Sequence, residues 1–132
     1  MKETLSVVVE REIPYPPEKI WRALTQSHLI EEWLMKNDFK PDKGHCFNFS
    51  ADWGAVDCQV QVVEPHKRLS YTWETKDLES IVTWTLTPTN TGTLLRMEQI
   101  GFRPDQQSYY RGAQAGWKRF FADLEQVLER ID

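Results

Sequence analysis

The chain has 132 residues, enough for one domain with a single hydrophobic core. Its 20 acidic and 16 basic residues give a formal net charge of −4 at pH 7. Proteins that bind nucleic acids neutralise phosphates with Lys and Arg, so this balance argues against a nucleic-acid partner. Hydrophobic residues make up 40% of the chain and charged residues 27%, a mixture typical of a folded globular protein.

Apolar runs in the sequence are short, whereas a helix that spans a membrane needs about 20 apolar residues. The N-terminal residues lack the apolar core of a signal peptide. The two cysteines, Cys46 and Cys58, are too few for a disulfide framework. We therefore expect a cytoplasmic protein with reduced thiols and no membrane insertion.

The first part of the chain predicts a strand followed by two short helices. Residues 4–13 are rich in β-branched side chains, which favours a strand. Pro17 suits the first turn of a helix, where its missing amide hydrogen costs nothing. Ser27 suits the N-cap of a second helix, which ends before Asn37.

After these helices the pattern changes to alternation of apolar and polar residues. In the segment 56–64, one face carries Val56, Cys58, Val60 and Val62. In the segment 46–53, the alternation continues as far as Trp53. The segments are residues 46–53, 56–64, 68–75, 80–87 and 93–100. Consecutive strands with short turns form an antiparallel meander, so with the first strand we expect a six-stranded sheet.

The C-terminal segment repeats apolar residues at three- and four-residue spacing, which predicts a long amphipathic helix over roughly residues 108–130. A half-buried sheet must cover its apolar face, and only this helix is long enough to do so. The sequence therefore predicts one α+β domain over residues 1–132. Its six-stranded antiparallel sheet curves around the long C-terminal helix, and two short helices lie between the first and second strands.

Six stretches that cover nearly the whole chain match a known pattern. They are EREIPYPPEKIWRALTQSHLIEEWL (10–34), NDFKPDKGHCFNF (37–49), VVEPHKRLSYTWE (62–74), IVTWTLTP (81–88), GTLLRMEQIGF (92–102) and GWKRFFADLEQVLE (116–129). The chain resembles the SRPBCC superfamily of START and birch-pollen-allergen-like proteins. Within it, the chain is most similar to bacterial proteins related to the C-terminal domain of the activator of heat-shock protein 90 ATPase. The resemblance implies a helix-grip fold with a deep, largely apolar cavity between sheet and helix, and it implies no single activity.

Aromatic residues make up 12% of the chain, and several of them are predicted to face this cavity. Any one of them alone is better explained as ordinary core. Together they favour a cavity lined with rings, because one helix does not fill a concave sheet tightly. The predicted ligand-binding residues are Trp33, Phe49, Tyr71, Trp73, Trp84, Met97, Trp117 and Phe121.

Gly112 and Gly116 lie four residues apart inside the predicted C-terminal helix. Each costs about 1 kcal/mol relative to Ala in a helix interior. They could allow the helix to approach a strand closely, or their missing side chains could leave room at the mouth of a cavity. We favour close packing.

The sequence shows no catalytic motif. Arg96 and Glu98 share a strand face opposite Leu95 and Met97, which indicates a solvated outer face and not an acid–base pair. The strand residues predicted to face inward are Phe47, Phe49, Val60, Leu69, Tyr71, Trp73, Val82, Trp84, Leu95 and Met97. Of these, only the weakly acidic Tyr71 could act as an acid or base. We therefore predict no catalytic residues.

A metal site is not expected either. His45, Cys46, Cys58 and His66 lack the spacing of a zinc site, and adjacent residues on an extended chain point apart. We predict no metal ligands and no cofactor.

Three functions are consistent with these features. The first is a binding module for a small apolar ligand, aromatic or lipid-like. The second is an enzyme of the cyclase or hydrolase type that uses the same cavity, and the third is a co-chaperone-like protein-interaction module. The apolar inward faces rank binding first. A weak homodimer and a chaperone partner stay open, although the near balance of charges over residues 105–132 gives no obvious docking face.

Overall fold

The computed structural model describes residues 4–131 as a helix-grip fold. The elements are β1 (Leu5–Ile13), α1 (Pro17–Thr25), α2 (Ser27–Trp33), β2 (Lys36–Asn37), β3 (Cys46–Ala51), β4 (Gly54–Glu64), β5 (Arg68–Glu74), β6 (Glu79–Pro88), β7 (Thr93–Phe102) and α3 (Gln107–Arg130). All neighbouring strands are antiparallel, in the order β1-β7-β6-β5-β4-β3-β2. The predicted α+β class, the two short helices and the long C-terminal helix are confirmed.

The sheet has seven strands and not the predicted six. The additional strand, β2, pairs its two residues with Ser50 and Phe49 of β3. The Asn37 side-chain amide donates hydrogen bonds to the backbone oxygens of Ser27 at 3.1 Å and Met35 at 3.0 Å, which hold this segment in place. Two residues are too few to show the alternation that identifies a strand in a sequence.

The start of α2 differs from the prediction. Ser27 is the first helical residue and not the N-cap, a position that Gln26 occupies. Gln26 is also the C-cap of α1, so a single residue joins the two helices. The Ser27 hydroxyl donates instead to the backbone oxygen of Asn37 at 3.0 Å, and it therefore ties α2 to β2.

A bulge in β4 changes which of its residues face the core. Val60 pairs with Tyr71, whereas Val62 pairs with Ser70, so the register shifts by one residue between them. Val63, and not Val62, therefore packs against the core. The prediction that Val62 shares the face of Val60 was wrong, because alternation cannot reveal a single inserted residue.

The hairpin between β3 and β4 turns earlier than predicted. β3 ends at Ala51, and Asp52 and Trp53 form the two-residue turn. Gly54 then begins β4 with a φ of 143°, which a residue with a side chain rarely adopts. Trp53 consequently lies at the tip of the hairpin with 66% of its surface exposed, and not on an inward strand face.

One hydrophobic core joins the concave face of the sheet to α1, α2 and α3. The strand residues predicted to face inward are all buried: Phe47, Phe49, Val60, Leu69, Tyr71, Trp73, Val82, Trp84, Leu95 and Met97. Arg96 and Glu98 lie on the opposite face as predicted, where their charged groups are 3.6 Å apart. In the part of the chain that the structure describes, no helix has the length and apolar character needed to cross a membrane.

We predict that Gly101→Ala destabilises the fold by about 3 kcal/mol, because a strained φ alone costs roughly 1–3 kcal/mol and a steric contact adds to it. Gly101 has a φ of 131° at a bulge in β7, and an added Cβ would lie 2.4 Å from the backbone oxygen of Glu79. The shift of the urea midpoint, with the dependence of the unfolding free energy on urea concentration unchanged, measures the loss of stability. Gly44→Ala is the matched control, since Gly44 also has a positive φ but faces open space. An equal loss in both variants would contradict the steric argument.

Candidate ligand pocket

A pocket of about 520 Å³ lies between the N-terminal half of α3 and one end of the sheet. Its helix side runs from Ser108 to Phe120. Its sheet side is formed where β5 ends, β6 begins and β7 ends, and it includes Trp73 and Phe102. The exposed Trp53 also lines it. The volume falls within the range of about 300–1,000 Å³ that is usual for small-molecule sites.

Two glycines of α3 face open space at this pocket. A Cβ added to Gly112 would meet no atom within 4 Å, and one added to Gly116 would meet only the Phe120 ring at 3.9 Å. Both glycines line the pocket together with Ala113. The preference for close helix–strand packing was therefore wrong. The four-residue spacing places both glycines on one helix face, but it does not tell whether that face meets a strand or a space.

A buried glutamine, Gln99, connects two of the three tryptophans that line the pocket. It is only 2% exposed, and its Oε1 accepts a hydrogen bond from Trp117 Nε1 at 2.7 Å. Its Nε2 donates to the Ser80 hydroxyl at 3.0 Å, which in turn donates to the backbone oxygen of Trp73 at 2.8 Å. The sequence prediction did not include Gln99. Its position two residues after Met97, on the same strand face, is the signal that could have found it.

Of the eight predicted ligand-binding residues, Trp73 and Trp117 line this pocket. Their ring centroids are 5.3 Å apart. The other six belong to the packed core beside it: Trp33, Phe49, Tyr71, Trp84, Met97 and Phe121. A direct role for these six in ligand binding stays a prediction.

The polar atoms of the core aromatics have protein partners. Trp84 Nε1 donates to the Tyr71 hydroxyl at 3.0 Å, and Trp33 Nε1 donates to the backbone oxygen of Ala23 at 2.9 Å. Burial raises the pKa of the Tyr71 phenol above its ordinary value, and the hydrogen bond from Trp84 offsets only part of this effect. Tyr71 is therefore a neutral structural group at physiological pH.

Two ionisable side chains line the pocket among the described residues, Tyr109 and Arg119. The Tyr109 hydroxyl donates to Asp77 Oδ2 at 3.2 Å. The Arg119 guanidinium lies 5.7 Å from the centroid of the Phe120 ring. No carboxylate, histidine or cysteine is among these lining residues, so they include none of the side chains that most often act as a general base.

The residues considered as metal ligands do not form a cluster. Within residues 4–131, no group of three or more His, Cys, Asp and Glu side chains lies close enough together to hold a metal ion. Both thiols are free, as predicted, with Cys46 exposed and Cys58 buried. Burial raises the pKa of the Cys58 thiol, and the negative charges of Asp57 and Glu74 raise it further.

Comparison with known proteins identifies the family. The family model described as Activator of Hsp90 ATPase homolog 1-like protein matches residues 14–129. The chain belongs to this family. Its membership confirms the resemblance to the SRPBCC superfamily that the sequence stretches indicate. A comparison with the curated proteins gave no match.

Solved structures support this assignment. The family member described here is 65% identical to protein MLL2253 from Mesorhizobium loti, with a TM-score of 0.94 over 97% of this chain and 99% of that chain. It is 27% identical to protein BH1534 from Bacillus halodurans, with a TM-score of 0.85 over 97% and 99% of the two chains. DynU16, a putative protein in the dynemicin biosynthetic locus, is 26% identical with a TM-score of 0.81. That match covers 94% of this chain and 47% of DynU16.

We predict that one thiol of this family member reacts rapidly with Ellman's reagent in the native state. The exposed Cys46 reacts, whereas Cys58 is buried and holds its proton. The second thiol should react only after unfolding, which an absorbance time course with and without denaturant measures. Cys46→Ser should abolish the rapid phase. Rapid reaction of both thiols in the native protein would contradict the burial of Cys58.

We predict that Trp117→Ala lowers the free energy of unfolding by roughly 3–5 kcal/mol. Trp117 is 2% exposed, and its removal also leaves Gln99 Oε1 without its partner. Denaturant midpoints at unchanged slope measure the effect. The control is Lys118→Ala at the neighbouring exposed position, where we expect a change within about 0.5 kcal/mol. Equal shifts in the two variants would place Trp117 outside the core.

Proposed function

We propose that this protein is a binding module that holds a small, flat, largely apolar molecule in the pocket between α3 and the ends of β5, β6 and β7. The observation that carries the proposal is the open space in front of Gly112 and Gly116. The aromatic walls beside that space supply the apolar contact surface that small-molecule sites usually have.

The two glycines are unfavourable for the helix itself. Each costs about 1 kcal/mol relative to Ala in a helix interior. No backbone contact requires either of them, since an added Cβ meets at most the end of the Phe120 ring. Residues that reduce stability without a packing reason are typical of functional sites. The open space in front of Gly112 and Gly116 therefore supports a ligand at this position.

The shape of the pocket favours a ring system. The lining residues on α3 span twelve positions, which correspond to roughly 18 Å of helix. The rings of Trp53, Tyr109 and Phe120 keep exposed surface at the pocket, whereas those of Trp73, Phe102 and Trp117 are buried in its wall. Aromatic pairs prefer stacked or edge-to-face contacts, so a flat aromatic molecule matches these walls better than a flexible chain does.

Binding without turnover is the function that the lining chemistry supports. An enzyme of the cyclase or hydrolase type would require a positioned acid, base or nucleophile, and the described lining residues include no carboxylate, histidine or cysteine. We place the protein in the cytoplasm, which its two free thiols support. A weak homodimer and a chaperone partner stay predictions.

The test is a titration with N-phenylnaphthylamine, a neutral flat probe that fluoresces in apolar surroundings. We expect saturable binding to the wild type, and binding at least about tenfold weaker in Gly112→Leu, whose new side chain occupies the pocket. Stability should rise in this variant by roughly 0.8 kcal/mol, because Leu is the better helix former. Weaker binding by this variant would therefore not be caused by unfolding.

Ala115→Leu is the matched control, because it enlarges an exposed residue of the same helix that is not among the pocket lining. It should bind the probe as the wild type does. Absence of saturable binding to the wild type would overturn the proposed function. Unchanged binding in Gly112→Leu would place the ligand elsewhere.

A further inference from the structure

We propose that the pocket selects planar aromatic carboxylates and that Arg119 binds the carboxylate group of the ligand. This inference rests on the proposed function and adds the chemical class of the ligand. It follows from the positive charge of Arg119, from the Phe120 ring beside that charge and from the difference in charge between the two ends of the pocket.

Arg119 differs from most other arginines of the chain in its contacts. Those that pair with a carboxylate, at distances between 3.0 and 3.8 Å, are Arg11, Arg68, Arg96, Arg103 and Arg130. Within residues 4–131, Arg119 forms no ion pair, and its recorded contact is with the Phe120 ring. Its guanidinium is therefore available to an anion from solution.

The position of the guanidinium suits an acid attached to a ring. It lies 5.7 Å from the centroid of Phe120, a residue that also lines the pocket. Guanidinium groups stack on aromatic faces and bind carboxylates through two parallel hydrogen bonds. The acid of an aromatic carboxylate lies at the edge of its ring. A ligand ring placed against Trp117 and Phe120 can therefore direct its acid toward Arg119.

The two ends of the pocket differ in charge. At the far end, the hydroxyl of Tyr109 is bound to the carboxylate of Asp77. Tyr109 and Arg119 are ten residues apart on α3, which corresponds to roughly 15 Å. The chain carries a net charge of −4, so its overall field opposes anions. Arg119 is the cationic side chain among the described lining residues, so we expect an anionic group to lie at its end of the pocket.

The test compares naphthoate with naphthamide, a neutral compound of nearly the same size and shape, as competitors of N-phenylnaphthylamine. We expect the wild type to bind naphthoate about fivefold more tightly than naphthamide, the order expected for one partly exposed ion pair. Added salt should weaken the binding of naphthoate and leave that of naphthamide unchanged.

Arg119→Gln should bind naphthoate and naphthamide with equal affinity, because its neutral side chain forms no ion pair with the acid. A urea midpoint equal to that of the wild type shows that the variant is folded. Lys118→Gln is the matched control, since it removes the same charge from the neighbouring exposed position, which is not among the pocket lining. It should keep the preference.

The outcomes separate this inference from the proposed function. Equal affinity for naphthoate and naphthamide in the wild type would overturn the inference and leave the binding module intact. A preference that survives in Arg119→Gln, or that disappears in Lys118→Gln, would overturn the assignment to Arg119. Failure of the neutral probe to bind the wild type would overturn the proposed function itself.

Discussion

The packing around Trp84 fixes the distance between the sheet and α3. Trp84 is 0% exposed, and its ring lies 5.6 Å from Trp33 of α2 and 5.7 Å and 5.6 Å from Trp117 and Phe121 of α3. Its Nε1 is also bound to the Tyr71 hydroxyl of the neighbouring strand. Protein interiors are close-packed, so rings of this size set a separation that the helix cannot reduce without losing contacts. The long helix is therefore held away from the sheet by the thickness of the aromatic layer.

The pocket follows from this separation together with a change of side chains along α3. The C-terminal half of the helix fills the gap with large residues such as Leu124 and Leu128, both fully buried. The N-terminal half presents Gly112, Ala113 and Gly116 to the same gap and leaves it open. One helix thus closes the core at one end and lines the proposed binding pocket at the other. Since net stabilities are only about 5–15 kcal/mol, the well-packed half is what allows the fold to tolerate the open half.

Local patterns predicted six of the seven strands and most of their inward faces, because burial of one sheet face requires alternation. Alternation also placed Trp73 correctly on the inner face, and helical spacing did so for Trp117. The same patterns could not place Val63, because a bulge inserts one residue without changing composition. Nor could they tell whether an inward ring belongs to packed core or to a pocket wall. Whether a ring lies in the core or in a pocket wall depends on how completely the side chains of the sheet and the helices fill the space between them. Here that space stays open in front of Gly112 and Gly116, and the spacing of apolar residues does not reveal it.

The rigidity of the pocket wall bears on which molecules it can bind. One ring, Trp117, belongs both to the core contact with Trp84 and to the pocket, and its Nε1 is fixed by the buried Gln99. The same network reaches Trp73 through Ser80, so the two walls are connected by hydrogen bonds. Side chains that are already immobilised lose little conformational entropy when a ligand binds. A flexible ligand, in contrast, loses conformational entropy of its own. A rigid ring system avoids both losses, and for this reason we expect the proposed site to bind flat aromatic molecules more tightly than acyl chains of equal apolar area.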